Sequence, residues 1–253
     1  MTPPPVRHFV ARDGVQLAYR ELGDGPPVLL LHGFFTTGSL AWLSSGHAER
    51  LVARGHRVVI ADLRGHGDSS RPHDPAAYPP DVLADDALAL VEHLRLVDYD
   101  LAGYSLGART VIRMLARGAT PRRAAVGGAG YGQIIHSAGS GAMFRHVLEH
   151  RGRHAWGSRE WVLEGFLRKT GGDPEALLLV LDTLVDTAPD QLAAIAVPTL
   201  VLEGREDDPD SGRRLAAALQ DAVFVEVPGD HIGASGTPEL GDAIAGFLDR
   251  RPG

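Results

Sequence analysis

Short apolar runs bounded by Gly, Pro or Asp recur at residues 28–31, 58–61, 101–102, 199–202 and 223–227, with gaps wide enough to hold a helix. That rhythm predicts the strands of a mostly parallel sheet. Between two of them, residues 81–96 open on Val82, Asp85 and Asp86 and then repeat Leu88, Val91 and Leu94 on one helical face. Alternating strands and helices predict an α/β fold. Ahead of the first parallel strand, residues 6–11 and 15–20 flank Asp13-Gly14, a turn pair that favours a two-stranded antiparallel hairpin at the sheet edge.

The rhythm breaks between Tyr131 and Asp190. Ser158 starts a helical stretch carrying Trp161, Val162, Gly165 and Phe166, and Asp173-Pro174 supplies an N-cap and a first-turn proline for another. In the latter, Leu177, Val180, Leu181, Leu184 and Val185 share one face. Because the strand pattern resumes near Val197, the simplest reading is a helical cap at 131–190 inserted into a core formed by 1–130 and 191–253.

Composition narrows the chemistry. The 253 residues carry a net charge of −7, which disfavours nucleic acid and anionic membrane surfaces as partners. No apolar run is long enough to span a bilayer. The opening Met1-Thr2-Pro3-Pro4-Pro5 lacks the basic start and apolar stretch of a signal peptide, so a soluble, cytoplasmic protein is expected. The absence of Cys excludes disulfides, thiolate metal sites and a cysteine nucleophile. Lys169 is the sole lysine.

Gly103-Tyr104-Ser105-Leu106-Gly107 matches G-x-S-x-G, with strand-like residues before it and the helical run 108–116 after it. The glycines permit a tight turn that pushes a serine hydroxyl out of the sheet beside the N–H groups of a helix start. A serine nucleophile needs a base, and His231 stands late in the chain just beyond a strand, in Pro228-Gly229-Asp230-His231. The base needs a carboxylate, offered by Gly204-Arg205-Glu206-Asp207-Asp208; Asp207 is the candidate and Asp208 its competitor. His32-Gly33-Phe34-Phe35 follows the 28–31 strand, so the backbone N–H groups of Phe34 and Leu106 are candidates for an oxyanion hole, with His32 structural. Phe35, Tyr104, Phe144 and Trp161 are candidates for the substrate pocket.

With these motifs in register, the chain resembles the α/β-hydrolase fold family, in its serine esterase and lipase-like group with a helical cap. The resemblance covers nearly the whole chain and includes the turn from Asp62 to Ser69, a fold signature in that family, which implies that His66 is structural. It implies a fold with a mostly parallel sheet flanked by helices. Haloalkane dehalogenases and epoxide hydrolases of this fold carry Asp at the elbow, where this chain has Ser105, and carbon–carbon bond hydrolases usually carry Trp after the histidine, where it has Ile232. The expected activity is hydrolysis of a small-molecule carboxylic ester through an acyl-enzyme, without a cofactor. A thioesterase or acyltransferase acting on a carrier-bound acyl group, or a triad-retaining small-molecule receptor, are the alternatives.

Other signals lead elsewhere. Gly65-x-Gly67 and Gly128-x-Gly130-x-Gly132 lack dinucleotide-binding spacing. Arg168 precedes Lys169-Thr170 where a phosphate-binding loop demands Gly. His146, His150 and His154 stand four apart, but Gly152 interrupts the helix and no carboxylate motif accompanies them, so no metal is expected. Residues 131–172 hold a surplus of three positive charges, read as a solvated helix face.

Overall fold

The computed structural model describes residues 4–249, so the reading of Met1, Thr2 and Pro3 lies outside the described residues. Its centre is an eight-stranded sheet in the order β1-β2-β4-β3-β5-β6-β7-β8. The strands are β1 (Arg7–Val10), β2 (Gln16–Leu22), β3 (Pro27–Leu31), β4 (Arg57–Ala61), β5 (Asp100–Tyr104), β6 (Ala124–Gly127), β7 (Thr199–Gly204) and β8 (Ala222–Val227). The expected hairpin is present: β1 and β2 pair antiparallel across the Asp13-Gly14 turn, and β2 pairs antiparallel with β4. From β4 to β8 every pairing is parallel.

The central strand β3 and residues 58–61 of β4 are apolar without interruption because both faces of the sheet are covered there. Successive residues of β3 and β4 go to opposite sides: Leu29, Leu31 and Val59 join one cluster, while Val28, Leu30 and Val58 join the other. Helices α2 (Val82–His93) and α3 (Leu106–Ala116) cover the first face; α1 (His47–Ala53) and α11 (Pro238–Leu248) cover the second. No helix among the described residues is long and apolar enough to cross a membrane.

Between β6 and β7 the chain forms α4 (Tyr131–Ile135), α5 (Ala142–Glu149), α6 (Arg159–Thr170), α7 (Pro174–Asp182) and α8 (Pro189–Ala193). The helix starts read from sequence are used. Ser158 accepts the Trp161 N–H, and Asp173 accepts those of Glu175 and Ala176. The helix α7 stops at Asp182, however, leaving Leu184 and Val185 beyond it, and Thr183 turns its carbonyl to the Asp81 N–H. This segment is tied to the body through α7, which sends Ala176 and Val180 into the sheet core and Leu177 and Leu181 into a separate cluster with Phe35, Val147 and Leu163.

Candidate active site

The turn from β5 into α3 leaves no room for side chains at its glycines. A Cβ on Gly103 would lie 2.3 Å from the Gly107 carbonyl oxygen, and one on Gly107 would lie 2.1 Å from that of Leu31. Ser105 between them is held at φ 55°, ψ −110°, a conformation L-residues rarely adopt. That strain presents Ser105 Oγ at the carboxyl ends of the parallel strands, where α/β folds place their sites.

Three side chains form a hydrogen-bonded series there. Ser105 Oγ lies 3.1 Å from His231 Nε2, and His231 Nδ1 lies 2.8 Å from Asp207 Oδ2. Asp208 is used otherwise: its carboxylate caps α9 (Pro209–Ala218) by accepting the Ser211 N–H. Asp230 likewise caps the turn that follows it, accepting from Gly233 N–H. The Tyr104 hydroxyl donates to the His231 carbonyl, fixing the backbone that carries the imidazole.

Burial opposes the charge on Asp207, but the hydrogen bond and charge of His231, together with Glu203 and Arg159, outweigh it and hold the carboxyl below its ordinary range. Beneath the pair lies a group that the sequence pattern concealed. Glu203, on β7, is 1% exposed, and neither of its oxygens has a partner of ordinary hydrogen-bond geometry. One oxygen of Glu203, one of Asp207 and a ring nitrogen of His231 all lie within 4.8 Å of one another. Burial first, and then the neighbouring Asp207, push Glu203 up to about 9, so it keeps its proton at neutral pH. A protonated Glu203 and an imidazole whose two nitrogens face Asp207 and Ser105 make a poor metal cradle.

The candidate oxyanion donors flank the serine. Leu106 opens α3, where the first N–H groups have no acceptor within the helix, and no backbone carbonyl among the described residues accepts from Leu106 or Phe34. His32 shapes the second loop from within: its buried ring accepts the Leu63 N–H through Nε2 (3.0 Å) and turns Nδ1 to the Gly33 carbonyl (2.7 Å). Burial holds both His32 and His66 below the ordinary histidine range, His66 to about 3, so both are neutral structural groups. Beside them, Arg64 has a fully buried side chain that joins the Asp13 and Asp86 carboxylates.

A cavity of about 450 Å³ opens onto Ser105 and His231. Of the expected pocket residues, Phe35, Tyr104 and Phe144 line it, and Trp161 does not. Trp161 instead lies against Trp156, the ring centroids 5.9 Å apart and the planes tilted by 52°, on the side of α6 away from Leu163 and Phe166, which line the cavity. The helical period explains this correction: residues 163 and 166 share a face that 161 does not. Trp42 and Lys169 also line the cavity without having been anticipated.

A mostly parallel sheet, helices on both faces and a strand–serine–helix elbow at its carboxyl edge define the α/β-hydrolase fold. The chain has that fold, and a family model described as "alpha/beta hydrolase fold" matches its residues 26–127. Among its relatives, the AB hydrolase superfamily protein YisY of Bacillus subtilis is 34% identical over 44% of this chain and 40% of its own length. Non-heme chloroperoxidase CPO-A1 of Kitasatospora aureofaciens is 37% identical over 44% of this chain and 38% of its own. The chain thus matches about two fifths of the length of these relatives. An esterase from Exiguobacterium antarcticum superposes with a TM-score of 0.74 over 96% of this chain and 99% of that one, at 17% identity, a likeness of fold.

Proposed function

We propose that the protein is a serine hydrolase that cleaves carboxylic esters. The observation that carries this reading is the hydrogen-bonded series Asp207–His231–Ser105, set beneath two unengaged N–H groups. Ser105 Oγ attacks the ester carbonyl carbon while its proton passes to His231 Nε2. The oxygen that becomes negative is met by the Phe34 and Leu106 N–H groups. When the carbon–alkoxy bond breaks, His231 gives the proton to the departing alcohol. Water then enters, loses a proton to His231 and releases the acid, returning Ser105 to its hydroxyl form. Asp207 orients the imidazole and offsets its transient positive charge. Epoxide hydrolases also occur among the relatives; Ser105, standing where the resemblance places Asp in those enzymes, favours the acyl-enzyme route.

The test is labelling of Ser105 by a fluorophosphonate together with ester turnover by wild type and Ser105→Ala. Ser105→Ala is expected to fold, to resist labelling and to lose about 10⁴-fold or more in kcat. Undiminished turnover in the variant would remove the assignment.

A further inference from the structure

Glu203 is a buried acid that the acyl-enzyme route leaves unused. Alternation along β7 sends Leu200 and Leu202 to one face of the sheet and Val201 to the other, and Glu203 follows Val201 toward α9. Gly212 of α9 makes room for it, since a Cβ on Gly212 would stand 3.1 Å from that of Glu203. No cation among the described residues bonds the carboxyl. The groups that face it are Asp207, His231, Asp208 and the Tyr104 hydroxyl, and the nearest guanidinium acting on this corner, that of Arg159, acts on Asp207. A proton is therefore what neutralises Glu203.

Asp207 shows why an acid stands there. His231 Nδ1 bonds one oxygen of its carboxylate, and no other N–H or hydroxyl group among the described residues donates to that carboxylate. A carboxylate held by one hydrogen bond turns easily about its last torsion, whose minima are broad. One oxygen of Glu203 lies within 4.8 Å of one oxygen of Asp207 and of a ring nitrogen of His231. Two carboxylates so placed repel, whereas a carboxylic acid donates to a carboxylate in a strong, charge-assisted bond. Burial and then this bond keep the proton on Glu203, and the same bond helps to keep Asp207 ionised.

We propose that Glu203 is a positioning residue of the site: its carboxyl proton is donated to Asp207 and fixes that carboxylate against His231, and where Asp207 is removed Glu203 releases the proton to water and faces the imidazole in its place. This inference rests on Ser105 and His231 acting as nucleophile and base.

The experiment follows the rate at which a fluorophosphonate labels Ser105, over a range of probe concentrations, so that no particular ester is needed. Glu203→Leu should lower the limiting rate about tenfold or more, the range of a hydrogen bond to a charged group, with the half-saturating concentration unchanged and Tm kept or raised. Glu203→Gln retains an N–H for Asp207 and should recover most of the loss. In the Asp207→Ala background, the protein that keeps Glu203 should outpace Asp207→Ala/Glu203→Gln, by more at about pH 9 than at about pH 6, because an ionised Glu203 is what replaces the missing carboxylate. A wild-type limiting rate in Glu203→Leu, or a loss that tracks Tm and is not recovered by Gln, overturns the positioning role; equal rates in the two Asp207→Ala proteins at both pH values overturn the replacement. Carbon-13 spectra of glutamate-labelled protein supply a readout apart from catalysis: one glutamic acid should remain protonated at neutral pH, be missing from Glu203→Gln and shift in Asp207→Ala. If wild type resists labelling altogether, the serine hydrolase reading fails; the protonated signal would then still support the Glu203–Asp207 bond, and its absence would end it.

Discussion

The elbow around Ser105 and the helical segment between β6 and β7 are built on different rules. At the elbow, backbone meets backbone: Gly107 lies against the Leu31 carbonyl, and Ser105 keeps a positive φ because β5 and α3 must join in one turn. In the helical segment, side chains meet side chains, and Phe35, Phe144, Leu163 and Leu177 fit together without demanding one residue type at any single place. Geometry fixed by backbone contact writes itself into sequence as glycines at set spacing. Geometry fixed by packing leaves only an apolar period. The elbow therefore fixes the position of one side chain, whereas the helical segment contributes Phe144, Leu163 and Phe166 to the cavity lining.

Gly107→Ala would break the first half of that contrast and carries the largest expected effect. The added methyl would fall 2.1 Å from the Leu31 carbonyl oxygen and 2.9 Å from that of His32, both backbone atoms that cannot swing aside. A loss of about 3 kcal/mol or more is expected, read as a lower denaturation midpoint, together with lost turnover as the Phe34 loop shifts. Wild-type stability in this variant would show that the β3–α3 approach is adjustable.

Glu203 tests whether the acid side of the site behaves like the elbow. Its proton is retained in the fold up to about pH 9, while an unfolded chain releases it near the ordinary value of 4.5. The contribution to stability is therefore complete below about 4.5 and is lost as pH rises through the folded value. Glu203→Gln mimics the protonated group without titrating, so its melting temperature should fall less between pH 5 and pH 9 than that of wild type, on the scale set by this shift. Turnover should follow: wild type should lose activity above about pH 9, as a second negative charge appears beside Asp207, and the Gln variant should not. Identical pH profiles for the two proteins would mean that Glu203 titrates elsewhere.

What could be read from the chain divides along the same line. The strands at 28–31, 58–61 and 199–202 were legible because covered strands are apolar without interruption, and Ser105 and His231 because their motif and position are tied to the turn. The strand β6 escaped notice: Ala124, Ala125, Val126 and Gly127 are too small and too few to form a pattern, although all four are buried. Glu203 was hidden because a Glu after Leu200-Val201-Leu202 looks like the solvated end of a strand, whereas in the fold it is buried beside Asp207 and against Gly212 of α9. The sequence favours Asp207 with Asp208 as its competitor; in the structure Asp208 caps α9 while Asp207 meets His231. Trp161 was misplaced because a helical period gives faces without saying which face meets the cavity.

The smallest expected effect asks whether the two regions unfold as one. Gly165 lies inside α6 with no atom within 4 Å of where a Cβ would stand, and its φ is not in the left-handed range. Alanine there removes the entropic cost of a helical glycine without a clash, so Gly165→Ala should add about 0.5–1 kcal/mol, or about 1–4 °C in Tm. That gain should appear in the main thermal transition, because α7 joins the sheet core and the Phe35 cluster through alternate side chains. If the gain appears only as slower hydrogen exchange in α5 and α6 while the main transition stays fixed, the segment opens on its own, and α7 does not couple it to the sheet. The same substitution that relieves a strain-free helix here would wreck the elbow at Gly107, and the opposite signs at two glycines measure how differently the two regions are held.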